Sequence, residues 1–180
     1  MNNEIEIEDA IIADTGALGF PDASAIRRVR VSPDSGVVDL MLLPSSSEAK
    51  LVLVEVKDER NREALSKVVG QLLMYYGGAL QLGHDGLDRI REYARTKTEA
   101  ACSGEKISLV KLAGIRPTDA AWSILESGPK LGPSDVRLFI ALNCDPSQGL
   151  VDTLTIVREH HGLRIDVVVL GPNGLRRVDI

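Results

Sequence analysis

Two short apolar segments carry charges in places where charges are expensive. In LVLVEVK (51–57) a period of two puts Leu51, Leu53, Glu55 and Lys57 on one strand face and Val52, Val54 and Val56 on the other. In VVDLMLL (37–43) the same rule puts Asp39 on a face with Val37, Met41 and Leu43, opposite Val38, Leu40 and Leu42. An unpaired buried charge costs on the order of several kcal/mol. The two acids and the lysine must therefore be paired, bound to metal, or placed at the mouth of a strand. Any fold for this chain has to bring two β-rich segments together and give those three charges a reason to be there.

The rest of the sequence reads as an α/β frame around that pair. EIEIEDAIIAD (4–14) suits a helix, with Ile7, Ile11 and Ile12 as its apolar stripe and acids at its N-terminus, although the EIEIE alternation also fits a short strand. TGALGFPDAS is a loop, IRRVRV a strand, SPDSG a tight turn, and the two charged segments complete a three-strand meander. From about 61 to 82 the period becomes helical. Leu65, Val68, Leu72 and Ala79 lie along one stripe, Ala64, Gln71 and Tyr75 beside it, and Gly77-Gly78 weakens the end. A further helix is expected over GHDGLDRIREYARTK, followed by a stretch cut by Gly and Pro that is helical or irregular. VRLFIAL (136–142), a helix ending at Gly162, and RIDVVVL (164–170) form a crossover unit whose two strands should be parallel neighbours. LRRVDI then supplies an edge strand. The expectation is a single domain over 1–180, with a central mixed β-sheet built from an antiparallel meander plus a parallel crossover unit and flanked by helices on both faces.

Composition excludes several classes. Apolar runs are too short to span a membrane and the N-terminus is acidic, which predicts a cytoplasmic protein. Cys102 and Cys144 show no metal-ligand spacing and read as reduced thiols. Net charge is −5, but Arg27, Arg28 and Arg30 cluster before the hairpin, and Lys57, Arg60, Arg62 and Lys67 follow the third strand. With 3% aromatics no stacking platform for unpaired bases is evident. No GxxxxGK, GxGxxG or GxSxG occurs, so NTPase, dinucleotide-binding and α/β-hydrolase readings lack support. His160 and His161 suit a last helical turn, where adjacent side chains diverge by about 100° and make a poor chelate.

Asp39 on one strand and Glu55-Val56-Lys57 on the next resemble the D…(D/E)xK signature of the PD-(D/E)XK, or restriction-endonuclease-like, nuclease superfamily, with Val38 where that motif has proline. Gln71-Leu-Leu-Met-Tyr75 on the following helix is similar to the QxxxY element of its RecB-like branch, and the overall layout is similar to small NucS-type endonuclease domains. The resemblance covers residues 4–80 well and 135–170 loosely. It implies a restriction-endonuclease-like fold and a Mg²⁺- or Mn²⁺-dependent nuclease acting on DNA, with RNA as a further substrate to test. It also implies an additional acid on the first helix, Glu8 or secondarily Glu4, and a homodimer, since many members cut two strands with two subunits.

The residue types suit that chemistry on their own terms. Mg²⁺ takes hard oxygen ligands, and Asp39, Glu55 and the Val56 carbonyl can supply them. Lys57 can orient or help deprotonate the attacking water and stabilise developing charge, and Gln71 can contact the cluster from the helix behind. Taken singly, Glu55 and Lys57 also fit an exposed strand-end ion pair, Asp39 an exposed hairpin residue, Tyr75 core packing and Glu8 a helix-dipole role. The rival expectation is a nuclease-like domain that binds nucleic acid or a partner protein without cutting.

Overall fold

The period-two segments assemble into one seven-stranded mixed sheet flanked by helices. The computed structural model describes residues 3–58, 62–96, 105–118 and 120–180, with backbone alone for 3 and 62–66. Its elements are α1 (Asn3–Ala13), β1 (Ser24–Arg30), β2 (Val37–Leu43), β3 (Leu51–Lys57), α2 (Arg62–Ala79), α3 (His84–Thr96), β4 (Ile107–Ser108), α4 (Leu109–Leu112), α5 (Ala121–Leu125), β5 (Val136–Leu142), α6 (Gln148–His161), β6 (Ile165–Gly171) and β7 (Gly174–Val178). The strand order is β4-β1-β2-β3-β5-β6-β7. The meander β1–β2–β3 is antiparallel, β3, β5 and β6 run parallel, and β7 closes the edge antiparallel to β6. Meander, crossover unit and edge strand all follow the sequence pattern.

Each face of the sheet buries its own core. On one side Leu51, Leu53, Leu138, Ile140 and Val167 meet Val68, Leu72, Tyr75 and Ala79 of α2, Leu87 and Ile90 of α3, and Leu150 and Leu154 of α6. On the other, Ile7 and Ile11 of α1, with Leu18, cover Leu40, Leu42, Val52, Val54, Val56 and Phe139. Burying each of those isoleucines is worth about 1.5–3 kcal/mol, and it fixes which turn of α1 faces the sheet. EIEIE is therefore helical, because burial at Ile7 and Ile11 follows a period of four. Among the described residues no helix is long and apolar enough to cross a membrane.

Helix α2 ends three residues before the expected boundary, in a tightened turn where Gln81 N–H reaches Gly78 O and Leu82 N–H reaches Ala79 O. The glycine pair does not break the helix. Gly78 is instead a packing position: a Cβ there would lie 2.8 Å from Ser32 Oγ and 3.0 Å from Ser32 Cβ. Ser32 is held in turn, because its hydroxyl accepts from Ser35 N–H while Ser35 Oγ accepts from Ser32 N–H. Gly78→Ala is therefore expected to cost about 1–3 kcal/mol by overpacking, whereas Gly77→Ala, with nothing near its Cβ, should be neutral or stabilising; thermal melts of the two variants check this. The region after α3 resolves into the short elements β4, α4 and α5, too brief for periodicity to reveal. His160 and His161 end α6 as expected, before a left-handed Gly162. Cys144 is half-buried; Cys102 and Arg60, and the side chains of Arg62, Ala64 and Leu65, lie outside the described residues.

Candidate active site

The site forms where β2 parts from β3. Their ladder pairs Leu42, Met41 and Leu40 with Val52, Leu53 and Val54, a register that sets Asp39 opposite Glu55. Beyond Leu40 the backbone pairing gives way to side chains: Asp39 Oδ2 accepts the Val56 N–H at 2.9 Å. The N–H and C=O of one extended residue point to the same strand edge, so the Val56 carbonyl also opens toward Asp39. Lys57 Nζ donates to Glu55 Oε1 at 2.6 Å and lies 3.8 Å from Asp39 Oδ2. The three charges foreseen from the sequence thus converge on one ammonium group.

Their environments differ. The Glu55 side chain is 2% exposed, Lys57 12% and Asp39 20%, so access is from the Asp39 side. Burial, and then the Asp39 charge, push Glu55 up to about 7 against the pull of Lys57. Burial also works against the Lys57 ammonium, but Glu55, Asp39 and Glu4 more than offset it and hold its pKa above the ordinary lysine value. Lys57 is therefore a fixed cation at neutral pH and not a general base, which narrows the roles its residue type allows.

Glu55 Oε2 is the informative atom: it is buried without a well-formed hydrogen bond, since the Tyr75 hydroxyl lies near the Glu55 carboxyl but gives its one proton to Val37 O. A carboxylate oxygen left in that state costs about 1–3 kcal/mol or more. Among the described residues no three Asp, Glu, His or Cys side chains form a ready-made cage. Mg²⁺ is ordinarily held by one or two carboxylates with waters and substrate oxygens rather than by an all-protein cage. Asp39, the orphaned Glu55 Oε2 and the Val56 carbonyl fit that donor set.

Glu8 is brought close but is otherwise engaged. Its side chain is buried; Arg27 donates to its Oε2 and to Asp9 Oδ1, and Arg28 lies 3.8 Å from its Oε1. Burial raises the Glu8 pKa against the pull of Arg27, and the nearby Asp39 raises it further. Gln71 is half-buried on α2, one turn before Tyr75. Tyr75 is core, as its helical stripe suggested, but its hydroxyl also donates to Val37 O at 3.0 Å and so pins α2 to the start of β2. Burial and the Glu55 charge raise its pKa, keeping it protonated. Tyr75→Phe is expected to cost about 1 kcal/mol for that bond, read by chemical denaturation.

The sequence reading missed the Asp39–Val56 bond and the Arg27 clamp on Glu8. The clamp had a partial signal, since a period of two puts Arg27 on a strand face with the apolar Ala25 and Val29. No protein-family model matches this chain, and no curated protein or solved structure matches it.

Glu55 holds a proton up to about pH 7, which a divalent cation held there would have to displace. Apparent Mn²⁺ affinity should rise about tenfold per pH unit below 7 and level off above it. The sign for stability is the reverse. The folded pKa lies above the ordinary glutamate value of 4.5, so the contribution of Glu55 is fully present below 4.5 and lost as pH rises to about 7. Mn²⁺ should restore it, and calorimetric titration and thermal melts across that window check both.

Proposed function

We propose that this protein is a Mg²⁺- or Mn²⁺-dependent nuclease of restriction-endonuclease-like fold that hydrolyses phosphodiester bonds in DNA. The observation that carries the reading is the orphaned Glu55 Oε2 beside Asp39, in a buried site whose Lys57 is held cationic. Asp39, Glu55 and the Val56 carbonyl would hold the metal. When bound, such a cation neutralises charge on the phosphate and lowers the pKa of its water.

The chain's own residues do the rest. Asp39 is oriented by the Val56 N–H, so its free lone pairs have a set direction before any ligand arrives. Lys57 presents a permanent positive charge where the attacked phosphate accumulates negative charge. Tyr75, through Val37, keeps β2 from drifting away from β3. Glu8 and Arg27 brace the outer wall. Gln71 is drawn to the site by its QxxxY spacing with Tyr75 on α2 alone.

A domain that binds nucleic acid without cutting is the second reading, favoured by the seating of Lys57 between the two carboxylates, where a metal must compete with it. The deciding experiment is cleavage of linear duplex, single-stranded, nicked-circular and branched DNA, and of RNA, with Mg²⁺ or Mn²⁺ against EDTA. Cutting that needs metal and is lost in Asp39→Asn, Glu55→Gln and Lys57→Ala supports the enzyme. No cutting with any metal leaves the binding domain.

A further inference from the structure

Arg28 has φ of +53°, in the left-handed region, alone in this among the described residues other than glycine. That backbone costs a bulky residue about 1–2 kcal/mol. The β1–β2 ladder pairs 24–27 with 43–40 and 29–30 with 38–37 in one unbroken register, so no residue is inserted and Arg28 stands opposite Asp39. The twist resets the strand's alternation: Ile26 and Val29, three apart, bury in the same core beside α2. Arg27 and Arg28 meanwhile both reach Glu8.

Among the described residues, no contact of Arg28 repays the strain. Its contact with Glu8 is 3.8 Å long, its side chain is 38% exposed, and Glu8 already has Arg27 as a closer partner. A half-exposed ion pair of this kind contributes under about 1 kcal/mol. Asparagine or glycine would take the left-handed conformation at lower cost. Strain kept without a structural return marks sites where a side chain is aimed at something else. What the twist carries is a guanidinium, whose planar fork of donors matches a phosphate in two-point contact, part-exposed 3.8 Å from Glu8 Oε1 on a residue opposite Asp39 in the register.

We propose that Arg28 is a phosphate-binding residue, turned by its left-handed backbone to grip a backbone phosphate of a nucleic-acid strand lying over the β1–β2 hairpin beside Asp39. The identity of the ligand rests on the nuclease reading; the aiming of the guanidinium does not. Arg28 and Lys57 then flank the carboxylates with positive charge, which reconciles an acidic protein with a polyanionic substrate at one local point.

The test uses the full chain with a short fluorescent DNA duplex and the matching single strand, in EDTA so that nothing is cut, across a salt series. Arg28→Gly and Arg28→Ala should each weaken binding about tenfold and reduce the log–log salt slope by about one. Arg28→Lys should recover part of the loss, and Arg89→Ala, an equal charge change on the exposed face of α3, should alter binding less than about twofold. Arg28→Gly should also melt about 2–4 °C above Arg28→Ala, because glycine enters the left-handed region without penalty. Unchanged affinity and slope in both variants overturn the phosphate contact even if the protein cuts DNA. An alanine variant as stable as the glycine variant overturns the strain argument. A wild-type chain that never cuts with metal, but loses binding in Arg28→Gly, sinks the nuclease reading and leaves Arg28 in place; a wild-type chain that binds neither DNA overturns the phosphate contact, and cleavage with metal decides the nuclease reading separately.

Discussion

On the proposed nuclease reading, Glu55→Gln is expected to lower metal-dependent cleavage about a thousandfold or more while leaving the protein folded. Glutamine matches the shape of glutamate but brings an amide in place of the unpartnered Oε2 or of the oxygen facing Lys57. Either way the site loses the negative charge a hard cation needs, and preorganised charge of this kind is worth about 10²–10³ per contact. Lys57→Ala should cost about 10²–10⁴ with metal affinity unchanged or raised, because the ammonium competes with the cation for both carboxylates. Asp39→Asn keeps an oxygen for the Val56 N–H, so it should fold normally and fail mainly in binding metal. Single-turnover rates at saturating Mn²⁺, set beside Mn²⁺ titrations, separate these cases. Cleavage that survives Glu55→Gln would mean the chemistry lies elsewhere.

The frame of this protein was legible because its strands obey the period of two and its long helices obey 3.6. VRLFIAL occupies its expected span as β5, and the helix that follows it ends at Gly162. Elements of two to five residues, such as β4 and α5, carry too few positions for either period to register. At the site, the sequence revealed the charges because they interrupt apolar strands. It could not reveal what each charge touches: the Asp39–Val56 bond is side chain to backbone, and no residue identity encodes a backbone partner. Lys57 shows the same limit. Its proximity to Glu55 follows from spacing, but its fixed positive charge depends on the negative charges of Glu55, Asp39 and Glu4 outweighing its burial, and only the fold assembles them. Arg28 was visible as one of a basic cluster; its left-handed backbone was not, since arginine has no tendency toward that region.

Glu8 provides the largest expected change in stability. Glu8→Ala leaves Arg27, 13% exposed, without its buried carboxylate, and breaking one side of such a pair costs about 3–5 kcal/mol. For a chain of this size that lowers Tm by roughly 10 °C. Arg27→Ala leaves Glu8, 2% exposed, facing Asp39 with less compensation. Without Arg27 the folded pKa of Glu8 rises further above the ordinary glutamate value, so the penalty is small below that value and grows as pH rises toward neutrality. Glu8→Leu with Arg27→Met should recover most of the loss, because a buried pair replaced whole by apolar groups is often nearly neutral. The same variants decide what Glu8 does for the site. As the partner of Arg27 it braces the wall, and Glu8→Gln, which still accepts from Arg27, should weaken Mn²⁺ binding by no more than about tenfold. A loss as deep as that of Glu55→Gln, at unchanged stability, would instead make Glu8 a ligand that leaves Arg27 when the metal arrives.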